Sequence, residues 1–306
     1  MTAVLTWISR SAPVARWGHN KHNAGEKAVA IEFTDIKLDY VSIAEARRMS
    51  GLRVVLGAYP IPGPWRESCK GILWVKGLKY TPVRTANEGA SDLAVGMGNS
   101  QSELLEWTGQ ASAPVIAWND EKPRAGWVEQ LLLAERLNPE PALIPASSAD
   151  RIRMFGMAHE LLSEGGLVWE KRLLMVHEPL QVLAADDPQR AFFTFLGEKY
   201  GYTPAGAEAA VVRIADIVQE FAAQLARQQA AGQRYLVGDR LSALDIYWAA
   251  CCAILDPMPP ERCPMADGFR GAYGNRDPRI AAALTPELRA HRDFIYETHL
   301  EFPVVF

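Results

Sequence analysis

The sequence is poor in cysteine and has no long apolar run. Only four cysteines occur in 306 residues: Cys69, Cys251, Cys252 and Cys263. None belongs to a C-x-x-C pair, and adjacent Cys251 and Cys252 are poorly placed to share one metal ion. This pattern points to reduced, buried thiols in a cytoplasmic protein, with no metal site expected. No apolar stretch reaches the roughly 18–20 residues needed to cross a bilayer, so no membrane span is expected. Met1 to Ile8 is mildly apolar but lacks a basic lead and a small-residue cleavage site, so it does not read as a signal peptide. Net charge is also scarce. The 32 basic and 36 acidic side chains leave a formal charge of −4, and the basic ones are scattered, which argues against nucleic acid as the main partner.

What is present is the balance of a well-packed globular protein, with 49% apolar and 22% charged residues. The length suits one large domain or two ordinary ones. Residues 1–36 mix Arg10, Arg16, Lys21 and Lys27 with His19 and His22 without a clear period, and read as a loosely docked N-terminal extension. Ser42 and Glu45 are spaced as a capping box at the start of a short helix over 42–49. The first division therefore runs over residues 1–50.

From Leu52 the signals alternate. Residues 52–58 are a β-branched run, broken by Pro60, Pro62, Gly63 and Pro64. A helix follows from about Trp65 to Lys76, stopped by Gly77. Lys79 to Arg84 is the second strand, Ser102 to Trp107 a short helix, and Ala113 to Trp118 the third strand. Asn119 to Lys122 is a turn, Arg124 to Val128 the return strand, and Glu129 to Leu137 a closing helix. This second division is 51–138. Pro139, Pro141 and Pro145 make a linker. Everything beyond it, residues 148–306, reads helical, chiefly at 150–163, 188–200, 204–229, 243–255 and 286–299.

This order resembles the glutathione transferase superfamily, in a divergent bacterial-type form, and three local features carry the resemblance over residues 50–306. Ala113-Pro114 stands where thioredoxin-like folds place a cis-proline, although a trans proline entering an edge strand reads equally well from the sequence. Glu129-Gln130 stands near the start of the closing helix, where the family grips the γ-glutamyl end of glutathione. An ordinary first-turn acid is the alternative for Glu129, and Gln130 replaces the usual Ser. Leu241-Ser242-Ala243-Leu244-Asp245-Ile246 resembles the family's buried folding helix, with Ser242 and Asp245 as a capping box. The implied fold is an α/β thioredoxin-like N-terminal domain followed by an all-α C-terminal domain.

The resemblance also implies a chemistry. These enzymes ionise the thiol of bound glutathione, whose pKa is otherwise near 8.5–9. The donor is usually Tyr, Ser or Cys after the first strand. The usual Ser and Cys positions fall at Gly63 and near Trp65, which leaves Tyr59 as the candidate catalytic residue; a strand-end tyrosine packing its ring is the alternative. Ala113, Pro114, Glu129, Gln130 and Arg66 are the candidate glutathione-binding residues. Trp65, Phe155 and His159 are the candidate substrate pocket, beside a Met and aromatic wall that suits an apolar electrophile. Cys69 lies too far inside its helix to be a redox thiol. The expected function is a glutathione-dependent transferase, lyase or isomerase. A non-catalytic binding protein of the same fold is the alternative, and a thiol reductase ranks below both. A homodimer is expected from the resemblance.

Overall fold

The structure, a computed structural model, describes residues 38–57, 61–85, 101–265 and 267–306. The expected extension over residues 1–36 and Tyr59 both lie outside the described residues. Helix α1 (Ile43–Ala46) is capped as its sequence predicts. The Ser42 amide and hydroxyl donate to Glu45 Oε2 at 2.8 and 2.7 Å, and the Glu45 amide returns a bond to Ser42 Oγ at 3.2 Å.

Strand β1 (Leu52–Leu56) is buried at every position, which puts it at the centre of the sheet. Strand β2 (Thr81–Arg84) pairs with it in parallel and β3 (Val115–Trp118) antiparallel, giving the order β2-β1-β3. Val54 stands opposite both Pro82 and Ile116. Single bridges at Val41–Val83 and Ile116–Arg124 extend the two edges. Helix α2 (Pro64–Val75) connects β1 to β2. It starts after Gly63 with Pro64 in the first turn, and ends where Gly77 takes φ 61°. Helix α3 (Ser102–Thr108) precedes β3, and α4 (Trp127–Leu137) closes this part.

Here the expected return strand over 124–128 is corrected. Only Arg124 pairs, and Trp127 already lies in α4. Gly126 is the cap, and its amide donates to Glu129 Oε2 at 3.2 Å, so the helix begins two residues before the expected start. A capped helix start competes locally with strand extension, and here it wins.

The remaining chain is helical: α5 (Ser148–Leu162), α6 (Leu167–Val182), α7 (Pro188–Tyr200), α8 (Pro204–Ala230), α9 (Ala243–Cys252), α10 (Asp267–Tyr273), α11 (Pro278–Ala283) and α12 (Pro286–His299). Helices α6, α10 and α11 were not expected individually. Gly165, Gly166 and Pro179 punctuate the α6 region, and the helix runs on one turn past Pro179 although that residue has no N–H to give.

Helix α9 is buried along its whole length and packs on α2 and α12. Its Asp245 carboxylate accepts the Ser242 amide and hydroxyl at 2.9 Å each and the Leu236 amide at 2.8 Å, and it faces His291 Nε2 at 2.9 Å. A fully buried carboxylate is tolerable only when its oxygens are satisfied in this way. Gly71 lets α2 approach closely. A Cβ there would stand 2.8 Å from Ile246 Cγ2 and 3.1 Å from Leu300 Cδ2.

The linker is clasped from both sides. Lys76 at the end of α2 donates to the carbonyls of Pro139 (3.2 Å) and Pro141 (2.7 Å) and pairs with Glu135. Glu135 Oε1 accepts the Leu143 amide at 2.9 Å, and the Leu143 carbonyl accepts the Ala243 amide of α9 at 2.9 Å. The fold is a thioredoxin-like α/β part followed by an all-helical part, as expected. Among the described residues no helix is long and apolar enough to cross a membrane.

Candidate active site

The two parts meet at one end of α5. Trp65, in the first turn of α2, donates its indole N–H to the Leu162 carbonyl at 2.8 Å. Trp127, the first residue of α4, donates to Ser163 Oγ at 3.1 Å. Leu162 and Ser163 end α5, so two indoles from the sheet side bond adjacent residues on the helical side. The Trp127 ring lies 6.3 Å from Phe155 and meets Tyr247 edge-on at 5.5 Å. Arg151 stands 5.1 Å over the other ring, that of Phe155. Both indole N–H groups are thus taken up within the protein, and Trp65, Trp127 and Phe155 stay partly exposed where they pack against the core.

Not all of the expected Met and aromatic wall is gathered at these rings. Met154 and Ala158 are fully buried in the core, and Trp169 turns to Tyr200, donating to its carbonyl at 3.1 Å. His159 is exposed and lines a cavity of about 400 Å³, whose walls (Glu160, Glu164, Gly166, Glu170, Arg213) come wholly from helices α5, α6 and α8 and their connections. Burial raises the Glu170 carboxyl above the ordinary range, and Arg213 opposes the shift.

Ala113-Pro114 is a cis peptide bond, and Ala113 is half-buried just ahead of β3. Beneath it sits Gln130, 4% exposed. Its amide nitrogen donates to the carbonyls of Pro114 (3.0 Å), Ala125 (3.2 Å) and Arg124 (3.4 Å). Gln130 therefore turns inward, lashing the first turn of α4 to the entrance of β3. Glu129 is exposed, and one of its oxygens accepts the Gly126 amide. Gly126 has no side chain to cap the helix, and Glu129 supplies the one bond of the capping box at this end of α4, beside β3 and Trp127. Lys199 of α7 also reaches this edge, donating to Ser112 Oγ at 2.6 Å.

Arg66 is also turned inward. It is 4% exposed, and its guanidinium is taken up by Glu67 (2.9 Å), by the Gly57 carbonyl (2.5 Å) and by the Ile61 carbonyl. These contacts turn the guanidinium towards the protein's own carbonyls and carboxylate. Cys69 is buried as expected. Burial pushes its thiol up to about 12, and the charge of Glu67 adds to the shift. All four cysteines are free and buried. Among the described residues no cluster of His, Cys, Asp or Glu could hold a metal ion.

Two residues escaped the sequence reading, Gly126 and Trp127. The signal was present, since Gly126 with Glu129 three positions on has the spacing of a helix start. It was masked by the expectation of a strand.

No protein-family model matches the chain, and no curated protein sequence matches it. Solved structures do. A glutathione transferase family member from Pseudomonas fluorescens Pf-5, with two glutathione bound, is 14% identical. The match covers 83% of this chain and 93% of that one, with a TM-score of 0.54. The β-etherase LigF from Sphingobium sp. strain SYK-6 is 18% identical over 79% of this chain and 98% of that one, with a TM-score of 0.50. The chain has the glutathione transferase fold.

Proposed function

We propose that the chain is a glutathione-dependent transferase, or a related lyase or isomerase, acting on a small apolar electrophile. The observation that carries the reading is the lashing of α4 by Gln130. It fixes a helix N-terminus, whose glycine cap carries no side chain, beside the strand that Ala113 and Pro114 enter and next to the partly exposed Trp127. The free amides and positive end of α4 suit the α-carboxylate of the tripeptide, and the exposed Glu129 suits its ammonium group. The Ala113 backbone pairs with the peptide portion. The sulfur nucleophile belongs to the ligand, because the protein's own thiols are all buried. The Tyr59 hydroxyl donates to the thiolate, which attacks the electrophilic carbon while the leaving group departs with the bonding pair. Trp65, Trp127 and Phe155 hold the apolar body of that substrate. The glutathione bound to the Pseudomonas protein supports the choice of tripeptide. The working form is a homodimer in the cytoplasm, organised as an extension (1–50), a glutathione-binding domain (51–138) and a helical domain (148–306).

Titration calorimetry with glutathione, followed by conjugation assays on a panel of electrophiles with Tyr59→Phe, tests the reading. Absence of binding at millimolar glutathione would end it. A second reading, a binding protein without catalysis, is favoured by the start of α2. Gly63, Pro64 and Trp65 offer no hydroxyl or thiol there. Binding without conjugation of any electrophile would select it.

A further inference from the structure

Helix α7 is held fast at its C-terminal end, next to Lys199. The Trp169 indole of α6 donates to the Tyr200 carbonyl at 3.1 Å and meets the Tyr200 ring edge-on at 4.9 Å. The Tyr202 hydroxyl and His177 Nδ1 of α6 share a hydrogen bond of 3.0 Å. Gly201 ends the helix at φ 66°. From this fixed base Lys199 crosses to the sheet side, where its ammonium donates to Ser112 Oγ at 2.6 Å. Ser112 directly precedes Ala113 and the cis Pro114.

A serine hydroxyl accepts a hydrogen bond but does not neutralise an ammonium. Among the described residues no carboxylate pairs with Lys199. Although the residue as a whole is exposed, desolvation of the ammonium, and then the charge of Arg172, hold it below the ordinary lysine range. An incoming carboxylate would replace one neutral bond by a charge-assisted one, which is about twice as strong.

The entrance of β3 is bracketed by two anchors. Gln130, from the first turn of α4, bonds the Pro114 carbonyl on one side of Ala113, and Lys199 bonds Ser112 on the other. A peptide that pairs with the Ala113 backbone and leaves its α-carboxylate at the N-terminus of α4 sends its opposite end past Ser112. One step of extended backbone is about 3.3 Å. The last residue of a tripeptide centred on Ala113 therefore falls beside Ser112, within reach of a lysine.

We propose that Lys199 is a ligand-binding residue contributed by the helical part: its ammonium takes the C-terminal carboxylate of the tripeptide as it passes Ser112, and it selects ligands that carry a carboxylate there. The assignment rests on the glutathione reading above. It makes α7 part of the binding site, so that both parts of the chain hold the tripeptide.

The test is titration calorimetry on the full chain with glutathione and with its glycyl amide, in which the C-terminal carboxylate is a neutral carboxamide. Wild type, Lys199→Gln, Lys199→Arg and Ser112→Ala are compared. Wild type should bind glutathione about tenfold more tightly than the amide. Lys199→Gln should lose about tenfold for glutathione and less than about twofold for the amide. Lys199→Arg, which keeps the charge, should retain the preference. Ser112→Ala removes the acceptor of the free protein and leaves the cation, so its glutathione affinity should stay within about twofold of wild type. Equal loss of both ligands in Lys199→Gln overturns the assignment, because a lysine that merely ties α7 to the sheet does not tell them apart. Unchanged glutathione affinity in Lys199→Gln overturns it too, as does an equal loss in Ser112→Ala. Wild type binding neither ligand removes the glutathione reading and this assignment with it. Glutathione bound no more tightly than its amide removes the assignment alone.

Discussion

Trp65 and Trp127, 62 positions apart in the sequence, place their indole N–H groups on the adjacent residues Leu162 and Ser163. Each indole therefore ties the sheet side to the end of α5 through one hydrogen bond. Trp127→Phe removes the bond to Ser163 and keeps most of the ring. Stability should fall by on the order of 1 kcal/mol, read by urea unfolding. KM for an apolar electrophile should rise several-fold, with KM for glutathione changing less.

Asp245 gathers three donors and His291 around one buried carboxylate. Asp245→Ala leaves the Leu236 and Ser242 amides and the His291 ring without their acceptor. A loss of about 3–5 kcal/mol is expected, as for other broken buried charge networks. Circular dichroism melting checks it. Ser242→Ala should cost less, about 1 kcal/mol, since Asp245 keeps its other partners.

Lys171 is 6% exposed and donates to the Gly274 carbonyl at 3.1 Å. Burial depresses its ammonium to about 8, below the ordinary 10.5. Between these values the unfolded chain binds more protons than the folded one, so stability rises with pH across that window. The slope is at most about 1.4 kcal/mol per pH unit. Unfolding free energies of wild type and Lys171→Met should diverge most below pH 8, with the variant favoured, and converge as pH climbs towards 10.

The four buried thiols should resist a thiol-specific reagent in the native state and react fully after denaturation. Burial raises Cys69 and Cys252 each to about 12, so the thiolate is scarce at neutral pH even where the reagent gains entry. Rapid labelling of Cys69 in the native protein would contradict this and reopen the reductase chemistry.

Gly71→Ala places a methyl group 2.8 Å from Ile246 Cγ2, inside any normal contact distance. Alanine is the better helix former, yet overpacking should outweigh propensity here, and a net loss of about 1–3 kcal/mol is expected. Gly156→Ala is the control, since nothing lies within 4 Å of its added carbon. It should gain a few tenths of a kcal/mol to about 1 kcal/mol.

Much of the architecture was legible because it is written in local signals. Ser42 with Glu45, Gly77 after α2, and Ser242 with Asp245 each mark a helix end through chemistry confined to a few neighbouring residues. The site was less legible because its roles depend on which way a side chain turns. Arg66 and Gln130 looked like ligand contacts by type and position. Their directions are set by carbonyl groups at Gly57, Ile61 and Pro114, and by a ring 240 positions away at Phe306. Trp127 was hidden by a single misread start, because Gly126 to Val128 are taken into a return strand there and open a helix here.

Lys76 grips the carbonyls of Pro139 and Pro141 from the end of α2, while Leu143 is held by Glu135 on one side and by the start of α9 on the other. A connection with its backbone occupied in this way has no slack. It cannot serve as a flexible tether along which the two halves drift apart and re-engage. Any loosening of the contact that Trp65 and Trp127 make with Leu162 and Ser163 has to come from side chains and loops, and a protease probing the Pro139–Pro141 stretch should meet a stiff splice rather than a loose thread.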